Sequence, residues 1–327
     1  MTPAEILVAV ASHGLHPITR SMSERPLSPR PWRELTQQLG ESGLGALAFL
    51  AASEGALPVT SAQDAELRRL NDDAAARTRS AVECLDAVVT TLDRQSIDSR
   101  VLHGASTAAL DYPVAGLRPF DSVDVLVAPV HHDDAVSLLR TEGVLSAPSV
   151  LTRTRRKREV RHVATNGVVV SLHASLTPGR VGEVVETPTL LASRTRFSFG
   201  TVDLCAVGAE ERLLAACIAD RASSLDLLGQ RDVVQLVLRD DLSSKRVERL
   251  ASSWRVEAVL AETVRRSWDL FSVPDVVPIS AWSRAYRPHR RDRRRTAHDV
   301  PVRPSLFDEL RVESGPRATG RRADDHS

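Results

Sequence analysis

The chain is expected to fold as an α/β (α+β) protein in which a small mixed sheet is flanked by N-terminal and C-terminal helices. Three observations carry this. Residues 62–92 place Leu67, Leu70, Ala74, Val82, Leu85, Val88, Val89 and Leu92 three and four apart, which lines one face of a long helix. From Ser99 the pattern shortens, and Ser122 to Val127 (SVDVLV) alternates polar and apolar as a half-buried strand does. After Gly208 helical spacing returns.

Taken in order, Ala4 to Ala11 is a short apolar helix, and Trp32 to Leu39 begins one behind Pro31, a residue suited to a first helical turn. Prolines at 17, 26, 29, 31 and 58 divide this region into separate helices. Gly40 to Gly45 (GESGLG) has no strand before it and no lysine after it, so it reads as a linker between helices. Arg100-Val101-Leu102 followed by Gly104 and the small residues to Leu110 reads as strand, tight turn and helix. His132 to Gly143 is a helix closed by glycine. Within His131-His132-Asp133-Asp134 the two acids then stand in a first turn, where the helix dipole favours them, rather than in a metal site. Glu159 to Val163 and Val168 to Leu172 flank Asn166-Gly167, a hairpin signal. Ala209 to Ala222, Leu225 to Arg239, Lys245 to Trp254 and Val256 to Leu270 are helical. The resulting divisions are a helical region over 1–95, an α/β core over 96–205, a second helical region over 206–285 and a disordered basic tail over 286–327.

Composition narrows the function classes. In 327 residues, 43 basic and 42 acidic side chains leave a net charge of +1, which excludes a uniformly basic nucleic-acid coat and a uniformly acidic protein. The charge is nonetheless polarised, with −7 over residues 1–150, +6 over 151–200 and +5 over 281–300. Hydrophobic content of 42% supports a sizeable core, and aromatics at only 4% mean that Leu, Val and Ala build it. Cys84, Cys205 and Cys217 are far apart with no CxxC spacing, so neither a disulfide framework nor a structural zinc site is expected. A cytoplasmic setting and no membrane association follow from that, from the lack of a basic leader and from the lack of a long apolar run. Lys157 and Lys245 are the only lysines, a bias best ascribed to a GC-rich genome.

The stretch VLHGASTAALDYPVAGLRPFDSVDVLV, followed by GVVVSLHASL, resembles the bacterial nucleotidyltransferase-like family of the DNA polymerase β superfamily. The resemblance runs over roughly residues 30–240 and includes the later GAEERLLAACIAD…LLGQRDVVQLVL with its Arg231-Asp232. It implies a polymerase β-type core, a nucleoside triphosphate and Mg²⁺ as cofactors, and an in-line displacement at phosphorus assisted by two metals. Such a centre needs hard oxygen ligands, supplied by two carboxylates at i and i+2 on one strand and a third on its neighbour.

Matched residue by residue, Arg118-Pro119 and Asp124 agree with the family pattern, Asp124 as the second carboxylate. Ser122 stands at the first carboxylate position and Ser171 at the third, and the family's Lys-Gly is His103-Gly104. A serine hydroxyl brings neither charge nor bidentate coordination. Asp124 is therefore the remaining candidate metal ligand, a weak one, with Ser122 and Ser171 in the other catalytic positions. His103, Gly104 and Arg118 are the candidate nucleotide-binding residues. His173 and Asp232 are candidate pocket residues, as is Asp121, which points away from Ser122 on a regular strand unless a bulge at Phe120–Ser122 re-aims it.

Whether the chain is an enzyme is left open by these residues. One reading is a nucleotidyltransferase fold, a pseudoenzyme or nearly so, that binds a nucleotide or a partner with weak or lost transfer. A second is an active Mg²⁺-dependent enzyme acting on a small molecule or protein through Asp124 and Asp121. A third is an interaction module in which Ser283 to Arg295, with seven arginines, contacts nucleic acid or a partner, against the plainer reading of a solvated tail. The basic run Arg153 to Arg161 reads first as an exposed loop and strand edge.

Overall fold

The computed structural model describes residues 1–15, 22–146, 150–154, 157–177, 180–200, 202–223, 227–275, 277–288 and 292. The chain opens with four helices, α1 (Pro3–Ser12), α2 (Pro29–Glu41), α3 (Gly45–Ser53) and α4 (Ser61–Arg94). Their starts are written locally. Thr2 with Glu5 and Thr60 with Gln63 form capping boxes, and each satisfies two amides that the first turn leaves without partners. In α2 the helix begins at Pro29, earlier than the Trp32 expected, because its first turn needs no amide from Pro29 or Pro31. Gly43, at φ +69, makes the short linker between α2 and α3, while Gly40 and Gly45 belong to the helices themselves.

The core follows as β1 (Ser99–Leu102), α5 (Gly104–Asp111), β2 (Ser122–Val127), α6 (His132–Thr141), β3 (Val150–Thr154), β4 (Lys157–Val163) and β5 (Val169–His173). Two short helices, α7 (Arg180–Val184) and α8 (Thr187–Ala192), lead to the hairpin of β6 (Thr195–Phe199) and β7 (Val202–Ala206). The seven strands lie in the order β3-β4-β5-β2-β1-β7-β6. The pairs β2–β5 and β1–β7 are parallel and the other neighbours antiparallel, so the sheet is mixed as expected but wider, with β3, β6 and β7 added. The Asn166-Gly167 turn joins β4 to β5 with Gly167 at φ +85, and the Asn166 amide donates to the Ser80 carbonyl of α4 at 3.1 Å. The basic run at 153–161 spans β3 and β4, and β3 is an outer strand of the sheet.

The alternation in β2 and β5 divides the interior into two. Val123, Val125, Val127, Val170 and Leu172 pack against the second half of α4 (Ala81, Leu85, Val88, Leu92) and against Ala135 and Leu139 of α6. On the opposite face, Leu102 and Leu126 join a second cluster with the helices of both ends of the chain. These include α9 (Ala209–Ser223), α10 (Leu227–Val237), α11 (Ser244–Trp254) and α12 (Glu257–Phe271), followed by α13 (Pro278–Ala285). Of the tail expected over 286–327, only 286–288 and 292 fall within the described residues. No helix among the described residues is long and apolar enough to cross a membrane.

Candidate functional site

The second face of β2 and β5 is where the site residues converge. In the parallel register Ser122 lies beside Val169, Asp124 beside Ser171 and Leu126 beside His173. Because side chains two apart on a strand share a face, Ser122, Asp124, Ser171 and His173 all point to one side. The adjoining strand β1 pairs Leu102 with Asp124, which delivers the next residue, His103, to the same end of the sheet.

Asp124 is partnered there. His173 Nε2 donates to its Oδ1 at 2.8 Å, with the two side chains 12% and 21% exposed respectively. The His103 ring meets the His173 ring edge-on, with centroids 6.5 Å apart. His103, between β1 and α5, takes φ +51, a region that residues with a Cβ rarely adopt. Burial disfavours its protonated form most, with the Asp124 charge opposing and His173 and Arg118 adding to the effect, so its pKa lies below the ordinary histidine value.

Gly104 starts α5, and what requires glycine there is contact rather than conformation. A Cβ at Gly104 would sit 2.8 Å from the Cβ of Phe120. Phe120 is itself held by its amide, which donates to Thr78 Oγ1 of α4 at 3.1 Å. The turn and the residues before β2 are therefore packed backbone to side chain.

Arg118 lies against α10, far away in sequence. Its Nε donates to both oxygens of Asp232 at 3.1 Å and its Nη2 to Oδ2 at 2.8 Å, while Nη1 donates to the Pro119 carbonyl at 3.0 Å. The Tyr112 hydroxyl donates to Asp232 Oδ1 at 2.7 Å. Burial, then the Asp232 charge, raises that hydroxyl well above the ordinary tyrosine value, so it stays a donor. His103, Arg118 and Asp232, with Leu102, Thr107 and Val207, line a cavity of about 130 Å³ between the core and the C-terminal helices.

The arrangement brings Ser122, Asp124, Ser171, His173 and His103 together on one face and Gly104, Arg118 and Asp232 beside it. Asp121 is not part of the group: it is exposed, precedes β2, and the β2–β5 ladder runs without offset from Ser122 onward. Among the described residues no cluster of three or more His, Cys, Asp or Glu side chains could hold a metal ion. Asp133 and Asp134 stand in the first turn of α6. Sequence reasoning gave no role to Tyr112 or to Asp111, which accepts from Arg212 at 2.7 and 3.0 Å and from Arg239 at 2.9 Å. The partners of both lie more than 100 residues away, and no local pattern marks them.

Residues 28–272 match the model of a family described as uncharacterised nucleotidyltransferase, and the chain belongs to that family. Among solved structures, it is similar to an antigenic nucleotidyltransferase-like protein from Paracoccidioides brasiliensis, at 14% identity and a TM-score of 0.38 over 57% of this chain and 88% of that one. It is also similar to the antibiotic-resistance factor ANT(2'')-Ia, at 11% identity and a TM-score of 0.32 over 60% of this chain and 92% of that one. No curated protein matches.

Proposed function

We propose that the Asp124 face of the sheet, with the neighbouring His103–Arg118 cavity, binds a nucleoside triphosphate and supports nucleotidyl transfer weakly or not at all. One observation carries the reading. Of the six residues that β2 and β5 place on this face of the sheet, Ser122, Asp124, Leu126, Val169, Ser171 and His173, only Asp124 is a carboxylate, and an imidazole holds one of its oxygens at 2.8 Å. Two-metal chemistry asks for several hard anionic oxygens converging on ions that demand near-octahedral geometry. The donors present do not fit such a pair of magnesium ions, because neutral hydroxyls flank a single, already hydrogen-bonded carboxylate. A reading that recruits Asp121 gains no support from its exposed position ahead of the strand.

The test is direct. The full chain is incubated with Mg²⁺ and each of the four nucleoside triphosphates while pyrophosphate release is followed, and binding is measured in parallel by calorimetry. Binding with negligible turnover, unchanged in Asp124→Ala, is the expected result. Robust turnover that Asp124→Ala abolishes would overturn the reading.

A further inference from the structure

We propose that Asp232 and Tyr112 are positioning residues: a buried hydrogen-bonded brace by which they fix the Arg118 guanidinium beside the Gly104 turn, so that Arg118 meets the phosphate-bearing end of the ligand. This rests on the nucleotide-binding reading above and adds to it the residues that act through Arg118.

The geometry distinguishes a brace from a substrate-facing acid. Both oxygens of Asp232 are engaged: Oδ1 accepts from the Tyr112 hydroxyl, Oδ2 from Arg118 Nη2, and the single Arg118 Nε hydrogen is shared between the two. Three hydrogens thus occupy a carboxylate that accepts about four, and the carboxylate faces its two partners from both ends. The pair is mostly shielded, with Arg118 15% and Asp232 8% exposed, where a fork-on-fork contact fixes the plane of the guanidinium and not merely its charge. Its third nitrogen, Nη1, is anchored to Pro119 and lies 3.9 Å from the place a Cβ would take on Gly104. The guanidinium is thereby held beside the start of α5, and Arg118 lines the cavity there.

The brace also has a rigid base. The neighbouring Arg231 is 1% exposed, donates from Nη1 to the carbonyls of Ala11 and His13 at 2.6 and 2.8 Å, and packs its guanidinium 5.4 Å from the centre of the Tyr112 ring. The Arg231-Asp232 dipeptide therefore ties α10 to the end of α1 on one side and to Arg118 on the other. An ordering of Arg118 by groups that never touch the ligand is the expected consequence.

The experiment uses the full chain, with ATP and inorganic pyrophosphate as separate probes titrated by calorimetry. Tyr112→Phe removes one hydrogen bond and keeps the ring, and is expected to weaken both probes about three- to tenfold. Asp232→Asn is expected to weaken them by about tenfold or more, and Tyr112→Phe serves if that variant does not fold. In an Arg118→Ala background, Tyr112→Phe is expected to change pyrophosphate binding less than twofold, since a brace without its guanidinium has nothing to position. Unchanged affinities in Tyr112→Phe and Asp232→Asn, or losses that add in full to that of Arg118→Ala, would overturn the brace alone. Failure of the wild-type chain to bind either probe would overturn the nucleotide-binding reading and the brace with it.

Discussion

Asp124 shows how much one position can decide. On β2 its polar neighbours on the face are two serines and a histidine, and the histidine is its hydrogen-bond partner. Gly104 shows the opposite case, a residue whose type is dictated by packing. Because the Cβ of Phe120 lies 2.8 Å from the missing Cβ, Gly104→Ala forces a shift of the backbone-proximal end of a buried side chain. Overpacking of this kind destabilises by about 1–3 kcal/mol, and urea unfolding of Gly104→Ala is expected to show a loss in that range. No loss would mean that the turn is looser than its contacts indicate. Glycine at this place was legible in the sequence, whereas the reason for it, a phenylalanine 16 residues further on, was not.

Among the elements, α4 is the one most fully written in its own sequence. Its apolar face recurs at threes and fours, its cap is Thr60 with Gln63, and its bounds, Ser61–Arg94, fall within two residues of the expected 62–92. Thr60→Ala removes the side-chain acceptor for the Gln63 amide and is expected to cost about 1 kcal/mol in the same unfolding measurement. A neutral result would show the first turn to be held by packing alone. β2, the Asn166-Gly167 turn and the glycine closing α6 were equally legible, because alternation and positive-φ glycines are local signals. The hairpin of β6 and β7 was not recognised. Phe197, Phe199, Val202 and Leu204 around Gly200 do alternate, but the hairpin's place at the far edge of the sheet comes from the parallel pairing of Val101 with Ala206, a contact across 105 residues.

At the scale of the whole molecule, buried and half-buried arginines cross the junctions between its parts. Arg100 donates to the Ser193 carbonyl at 2.8 Å, Arg212 to Asp111, Arg118 to Asp232, and Arg231 to the end of α1. Stability should also carry a signature of buried neutral histidine. His162 on β4 is fully buried, and burial first, with the charges of Arg140 and His132 adding, pushes its pKa down to about 4. The unfolded chain takes up this proton near pH 6.5 while the folded chain refuses it until about pH 4. The contribution is therefore complete above pH 6.5 and is lost as pH falls from there towards 4, at up to about 1.4 kcal/mol per pH unit. Unfolding free energy measured from pH 7 to 4.5 should fall accordingly, and His162→Gln should flatten the slope. A slope identical in the two proteins would remove this assignment.

By itself the sequence determined the order of the parts, the helix caps, the strand that carries Asp124 and the serines at 122 and 171, because period, capping and residue type act over a few residues. Tertiary structure alone decided the register that sets Ser171 beside Asp124, the hydrogen bond from His173 to Asp124, and the meeting of Asp232 and Tyr112 at Arg118. Strand register and buried hydrogen bonds join residues 47 to 120 positions apart, and such pairings are selected by the packing of the whole core rather than by any segment of it.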